Sequence, residues 1–382
     1  MNFCCSRQQS WGIIAGLAAC VLPAVGVAQA PTLRITADSA HGEIVAEVGP
    51  LHLGAGSGMY GMASPPTLVG VIPVDGWMRG YNVELLDAAG HRLPQTMVHH
   101  VNLMAPQKRE LFSQIMLRIG AAGAETSPVE LPRLLGYHWV AGDSLLLDEM
   151  LMNPTKHAYD GVRLRVHMPF VFAPTHASPV SIYPFYMDVM PPAGIHAYDL
   201  QPGISEKSWD GRPAIGGRIL GVGGHLHKYG IALRFTDVTA GTLLWEAKPD
   251  TDATGEVVGF PRKLFLWTFG LRLHPDHVYR VTAVYRNPTG KMIPDGAMGT
   301  LGGVIIPDRP TDWPAIDRNS AEYRDDLKVT YDSTDGMMGA MGSMEHGTTD
   351  AMHDGTQDGT HGAAHDGAVA HTVSSRRPAQ SP

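Results

Sequence analysis

Beyond Cys20 the chain has no cysteine; Cys4, Cys5 and Cys20 are the only three in 382 residues. A mature protein that starts after them has neither thiol nor disulfide. That excludes cysteine nucleophiles and Cys-ligated zinc or blue-copper sites, and it leaves the fold to stand on its hydrophobic core. Charge is sparse as well. Asp, Glu, Lys and Arg make up 17% of the residues and the formal net charge is −8. The basic residues are scattered, so no basic stripe points to nucleic acid. No stretch carries a long, clean 3.6-residue period either.

Turn formers are plentiful: 44 Gly and 29 Pro. They punctuate short runs with strand-like alternation or β-branched content, among them TLRITADSA, GEIVAEVGP, QTMVHHVNLM, DGVRLRVHMPFVF, GIALRFTDVTAG, HVYRVTAVYRN and LGGVIIP. Repeated short strands at this spacing argue for an all-β chain. The expected architecture is two antiparallel β-sandwich, jelly-roll-like domains in tandem, residues 31–192 and 193–310, divided in the Pro-rich stretch at Pro191 and Pro192. Residues 311–332 read as an extension that docks on the body.

Both ends read differently. Residues 1–30 have the form of an export signal: Arg7, an apolar run from Trp11 to Val27, then small residues up to a cleavage point after Ala28 or Ala30. Leu17-Ala18-Ala19-Cys20 also matches a lipobox, which would put a lipid anchor on Cys20. Either way the expected location is periplasmic or secreted. Residues 333–382 have almost no large apolar side chain except Met, so they cannot bury a core and read as a disordered tail. Met337, Met338, Met341, Met344 and Met352 stand there among His346, His353, His361, His365 and His371. Thioethers with imidazoles form a low-specificity copper collector.

The chemistry-bearing residues in the body are histidines. His225 and His227 in GVGGHLHKYG would share one face of a strand, since residues i and i+2 point the same way. Met298 follows in DGAMGTLGGVIIP, with Met292 as a rival. Upstream, His99 and His100 are adjacent in QTMVHHVNLM; strand neighbours point to opposite faces, so both can serve one metal only where the backbone bulges. Two imidazoles with a thioether select copper, because sulfur is a soft donor.

The order of these motifs (HH, an LMNPT turn, a HxH strand, a Met before a late strand) resembles the copper type II, ascorbate-dependent monooxygenases, the family of peptidylglycine α-hydroxylating and dopamine β-monooxygenases. The resemblance runs over residues 40 to 310 and is strongest in VHHVNLM, GGHLHKYG and MGTLGGVIIP. It implies two sandwiches facing each other across a solvent-filled cleft, each with one copper ion. His225, His227 and Met298 match the ligands of the oxygen-binding copper, and His99 and His100 match two ligands of the electron-storing copper. Met152 stands where the family has a third histidine, with His157 and His138 as substitutes. The residues that grip a peptide carboxylate in the amidating enzyme are replaced by Gly223, Thr300 and Gly302, which argues against a glycine-extended peptide as substrate.

Two functions fit. One is a monooxygenase that uses dioxygen and an external reductant such as ascorbate to hydroxylate a C–H bond of an unidentified small molecule or peptide. The other is a copper-sequestering protein of the cell envelope that uses the same sites and the tail. Neutral His ligands imply metal loss as pH falls below about 6.

Overall fold

The computed structural model describes residues 29–56, 65–126, 128–194 and 196–341, and the side chains of 332–341 are not described. The expected export signal, Cys20 and the tail from residue 342 onward lie outside the described residues. Among the described residues, no helix is long and apolar enough to cross a membrane.

The chain is all-β, as the alternation of apolar residues requires. The first sandwich packs a large sheet on a smaller one. Thr32–Asp38, Glu43–Leu53 and Tyr159–Phe172 run side by side in the large sheet, and Leu68–Val71, Ser144–Leu151, Val98–Arg109 and Met116–Gly123 form the small one. Their inward residues alternate along each strand. Ala46 and Val48 from one sheet meet Val101, Leu103, Leu145 and Leu147 from the other, all fully buried. Burial of such side chains stabilises the fold by roughly 1.5–3 kcal/mol each.

The second sandwich repeats the design. Tyr183–Asp188, Gly299–Pro307 and Gly217–Leu226 face a four-stranded sheet of Gly203–Gly211, Tyr279–Asn287, Gly230–Asp237 and Thr242–Ala247. Its core is Phe185, Met187, Leu233, Phe235, Tyr279, Val281, Leu301 and Ile305. That core takes in Phe185, ahead of Pro191-Pro192, and also Leu111 and Phe112 from the turn of the first sandwich's hairpin. Each sandwich also holds the same Asn-Pro-Thr buckle. Asn153 Nδ2 donates to His157 O at 2.7 Å and Asn287 Nδ2 to Lys291 O at 2.7 Å, while Thr155 and Thr289 each donate to the Asn side chain at 2.7 Å.

After the second sandwich the chain returns to the first. Trp313 stacks on Tyr183 (centroids 4.6 Å apart) and donates its Nε1–H to Arg109 O at 3.0 Å. A helix follows, Ala321–Met341, where no helical period stood out in the sequence. Ser320 Oγ accepts the Tyr323 N–H at 3.1 Å as its cap. Tyr323, Asp326, Leu327 and Thr330 make the inward stripe, short and half polar, which hides the period. Asp326, 2% exposed, takes Arg118 Nη1 at 2.8 Å and Met116 N at 3.0 Å. The extension thus clamps the hairpin Val98–Arg109/Met116–Gly123, which carries His99 and His100.

Candidate metal centre

The centre forms where the two sandwiches meet, and local backbone irregularities build it. In the first sandwich, Ser144–Leu151 pairs Met150 with His100 but Leu151 with Val98. His99 is the extra residue of a β-bulge, the feature that lets adjacent side chains share a face. The His99 and His100 rings accordingly lie 5.0 Å apart, centroid to centroid.

In the second sandwich, Gly217–Leu226 runs antiparallel to Gly299–Pro307, pairing Gly223 with Gly302, His225 with Thr300 and Leu226 with Gly299. One step further, His227 and Met298 stand opposite each other just past the ladder. The Tyr285 hydroxyl takes the place of the missing rung. It accepts the His227 N–H at 2.9 Å and the Met298 N–H at 3.1 Å, and donates to Met298 O. Gly224 is required by close sheet packing: a Cβ there would come within 2.2 Å of Leu233 and 2.8 Å of Thr300 O. Gly302 is different, since a Cβ there would meet nothing within 4 Å. The sheet face beside His225 is open at that point.

The two pairs are one cluster. The His225 and His227 rings are 5.1 Å apart, and His227 lies 5.9 Å from His99 of the other sandwich. With metal–nitrogen bonds of about 2 Å, two imidazoles on one tetrahedral ion have centroids roughly 5 Å apart. The spacing within each pair fits shared coordination, and the contact between the pairs is somewhat longer; no three of the four bring ligand atoms within 4.8 Å of one another. Across the two sandwiches the His99 and His227 rings approach more closely than the solvent-filled cleft implied by the family resemblance would place them.

Electrostatics favour neutral, donating rings. Burial pushes His100 down to about 3, and pushes His99 and His227 below the ordinary histidine range, with the neighbouring imidazoles adding to the effect. For His100 the shift corresponds to on the order of 5 kcal/mol against protonation. His100 Nδ1 and His227 Nε2 are both buried without a hydrogen-bond partner. Unpartnered buried nitrogens are costly in an apo protein, and a metal ion would satisfy them. His225 is held differently, with its Nδ1 2.7 Å from Glu125 Oε1. Burial raises the Glu125 carboxyl, but the His225 hydrogen bond outweighs it and leaves the group below its usual range. An ionised carboxylate only accepts, so Nδ1 carries the proton and Nε2 keeps its lone pair for a metal, the carboxylate–histidine pairing common at metal sites.

The remaining sequence candidates are spread around this cluster. Met152 donates its N–H to Met97 O at 2.9 Å, which sets it level with a residue before the bulge. Met150, overlooked in the sequence, is the thioether opposite His100. His138 packs its ring 4.8 Å from Trp77 and His157 lies exposed in the Asn-Pro-Thr buckle, so neither joins the four rings. Met292 is exposed at 45%.

No family model matches the chain, and no curated protein matches it. Among solved structures, PNGase F, a glycosylasparaginase from Flavobacterium meningosepticum, is similar over 72% of this chain and 96% of its own, at 8% identity and a TM-score of 0.37. Allantoicase from Saccharomyces cerevisiae is similar over 69% of this chain and 78% of its own, at 10% identity and a TM-score of 0.16. Neither likeness bears on the chemistry of the cluster.

Two contributors to the centre besides Met150 leave no signal in the sequence. Glu125 is 100 residues from its partner, and Tyr285 belongs to a strand with no metal-binding signature. A carboxylate or hydroxyl that acts at such separation leaves no local pattern.

Proposed function

We propose that this is an exported copper-binding protein whose centre is shared between two sandwiches, with His99, His100, His225 and His227 as the nitrogen ligands. The observation that carries this reading is the chain of four imidazoles at 5.0, 5.9 and 5.1 Å, with buried, unpartnered nitrogens at its core. Copper is favoured over zinc because Met298 stands opposite His227 and Met150 opposite His100, and thioethers stabilise Cu(I). Glu125 orients His225, and the Tyr285 hydroxyl holds the His227 and Met298 backbones in place.

The monooxygenase reading stands second, and the open sheet face at Gly302 beside His225 favours it. Bound copper would supply one-electron and dioxygen chemistry. The chain would contribute neutral ligands, partial exclusion of water and room for a small substrate. Titration of the reduced protein with Cu(I) against a competing chelator tests the first reading. Affinity should fall in both His99→Ala and His227→Ala, and unchanged affinity in both would refute it. Oxygen uptake with ascorbate, scanned over candidate substrates, tests the second. Uptake that never couples to an added substrate would leave binding as the function.

A further inference from the structure

We propose a second metal site at the opposite end of the second sandwich, made by His274, Asp276 and His277, for a borderline divalent ion of the Zn2+ or Cu2+ type. The three side chains offer ligand atoms that all lie within 4.8 Å of one another. They sit in the turn His274-Pro275-Asp276-His277, closed by the His277 N–H donating to His274 O at 3.2 Å. The Tyr279 hydroxyl accepts the His274 N–H at 2.9 Å and Arg212 donates to Asp276 O, so the turn is fixed at both ends.

Asp237 gives independent support from outside the turn. This carboxylate, on the neighbouring strand and 5% exposed, lies 2.7 Å from His277 Nδ1. With Nδ1 facing Asp237, Nε2 is the ring nitrogen left to face a ligand. Carboxylate support of a ligand histidine in this manner is a recurrent property of metal sites. The rings are pre-arranged too. His274 stacks on His277 at 4.6 Å, His277 lies 6.3 Å from Tyr279, and Tyr279 stacks on the core residue Phe235 at 5.6 Å.

Two imidazoles and a carboxylate suit a divalent ion better than Cu(I), which prefers soft donors. The strand Tyr279–Asn287 links the two centres, with Tyr279 at this end and Tyr285 at the histidine cluster. Six residues of extended chain put them about 20 Å apart. The sites are thus separate in place and in preferred ion.

Equilibrium dialysis of the full-length apo protein against zinc, and in a parallel arm against Cu(II), followed by elemental analysis, tests the proposal. His274→Ala and Asp276→Asn should each lose one tightly held ion relative to wild type. Asp276 is exposed, so its variant keeps the fold, checked by circular dichroism. Asp237→Asn should weaken that ion by roughly ten- to a hundredfold. A His225→Ala/His227→Ala variant should retain it. The proposal is overturned if His274→Ala and Asp276→Asn bind as many ions as wild type in both arms. Loss confined to the His225→Ala/His227→Ala variant would overturn it too while leaving the central centre standing.

Discussion

The His99 ring of the first sandwich lies 5.9 Å from the His227 ring of the second, and through this contact two histidine pairs far apart in the chain become one cluster. The interface between sandwiches is therefore part of the proposed centre. Interactions that hold the two together should influence metal binding as directly as the ligands do.

Glu125 is the clearest case. It reaches from the first sandwich to His225 Nδ1 and sets that ring's tautomer. Glu125→Gln keeps the shape and removes the charge. Copper affinity is expected to fall by roughly ten- to a hundredfold with the fold intact. The check is a chelator competition run beside a thermal melt.

Tyr285 acts through its hydroxyl alone. Tyr285→Phe leaves the His227 N–H, the Met298 N–H and Met298 O without their partner. The expected cost is about 1–3 kcal/mol in denaturant unfolding. Copper affinity should also drop, because the backbones of His227 and Met298 are no longer tied.

Asp326 and Arg118 form a buried ion pair between the helix and the hairpin behind the bulge, 2% and 13% exposed at their side chains. Burial lowers the Arg118 guanidinium, but Asp326 more than compensates and raises it above its usual range. Asp326→Ala strands that charge and should destabilise the protein by roughly 3–5 kcal/mol. Urea unfolding with a tryptophan readout measures it, and a loss under 1 kcal/mol, the range of a solvent-screened pair, would show that the helix is not a structural clamp.

Glu110 gives a pH signature. It is fully buried and accepts the backbone N–H groups of Leu111, Arg118 and Tyr186 at 2.8, 3.1 and 3.0 Å. Burial outweighs these bonds and pushes its carboxyl up to about 7. The unfolded chain ionises near the ordinary value, about 4.3. Between the two the folded state binds the extra proton, so this group's contribution falls as pH rises through that window and is constant beyond it. The shift is on the order of 3 kcal/mol. The stability difference between wild type and Glu110→Gln should move in the variant's favour from pH 4.5 to 7, and a pH-independent difference would contradict the assignment.

Much of this was legible in the sequence. Alternation located most strands, including Thr32–Asp38, Gly230–Asp237 and Tyr279–Asn287, and the i, i+2 rule put His225 and His227 on one face. The junction between the pairs was not legible. Whether His99 and His100 share a face depends on a register shift against Met150 and Leu151, a property of a strand some 50 residues away. Met150, and not Met152, is the residue opposite His100, in the regular part of the ladder just before that shift. The turn at His274–His277 reads as punctuation until Asp237 is seen behind it. Burial also moves His100 far below the ordinary histidine range, a shift that only the folded environment sets.

The most direct test is a double-mutant cycle on Cu(I) affinity with His99→Ala and His227→Ala, one residue from each sandwich. One shared centre predicts that each variant weakens the same ion and that the double variant loses much less than the product of the single effects. Two independent sites would instead give each single variant one lost ion with the other held at wild-type affinity, and effects that multiply in the double variant; that result would contradict the account.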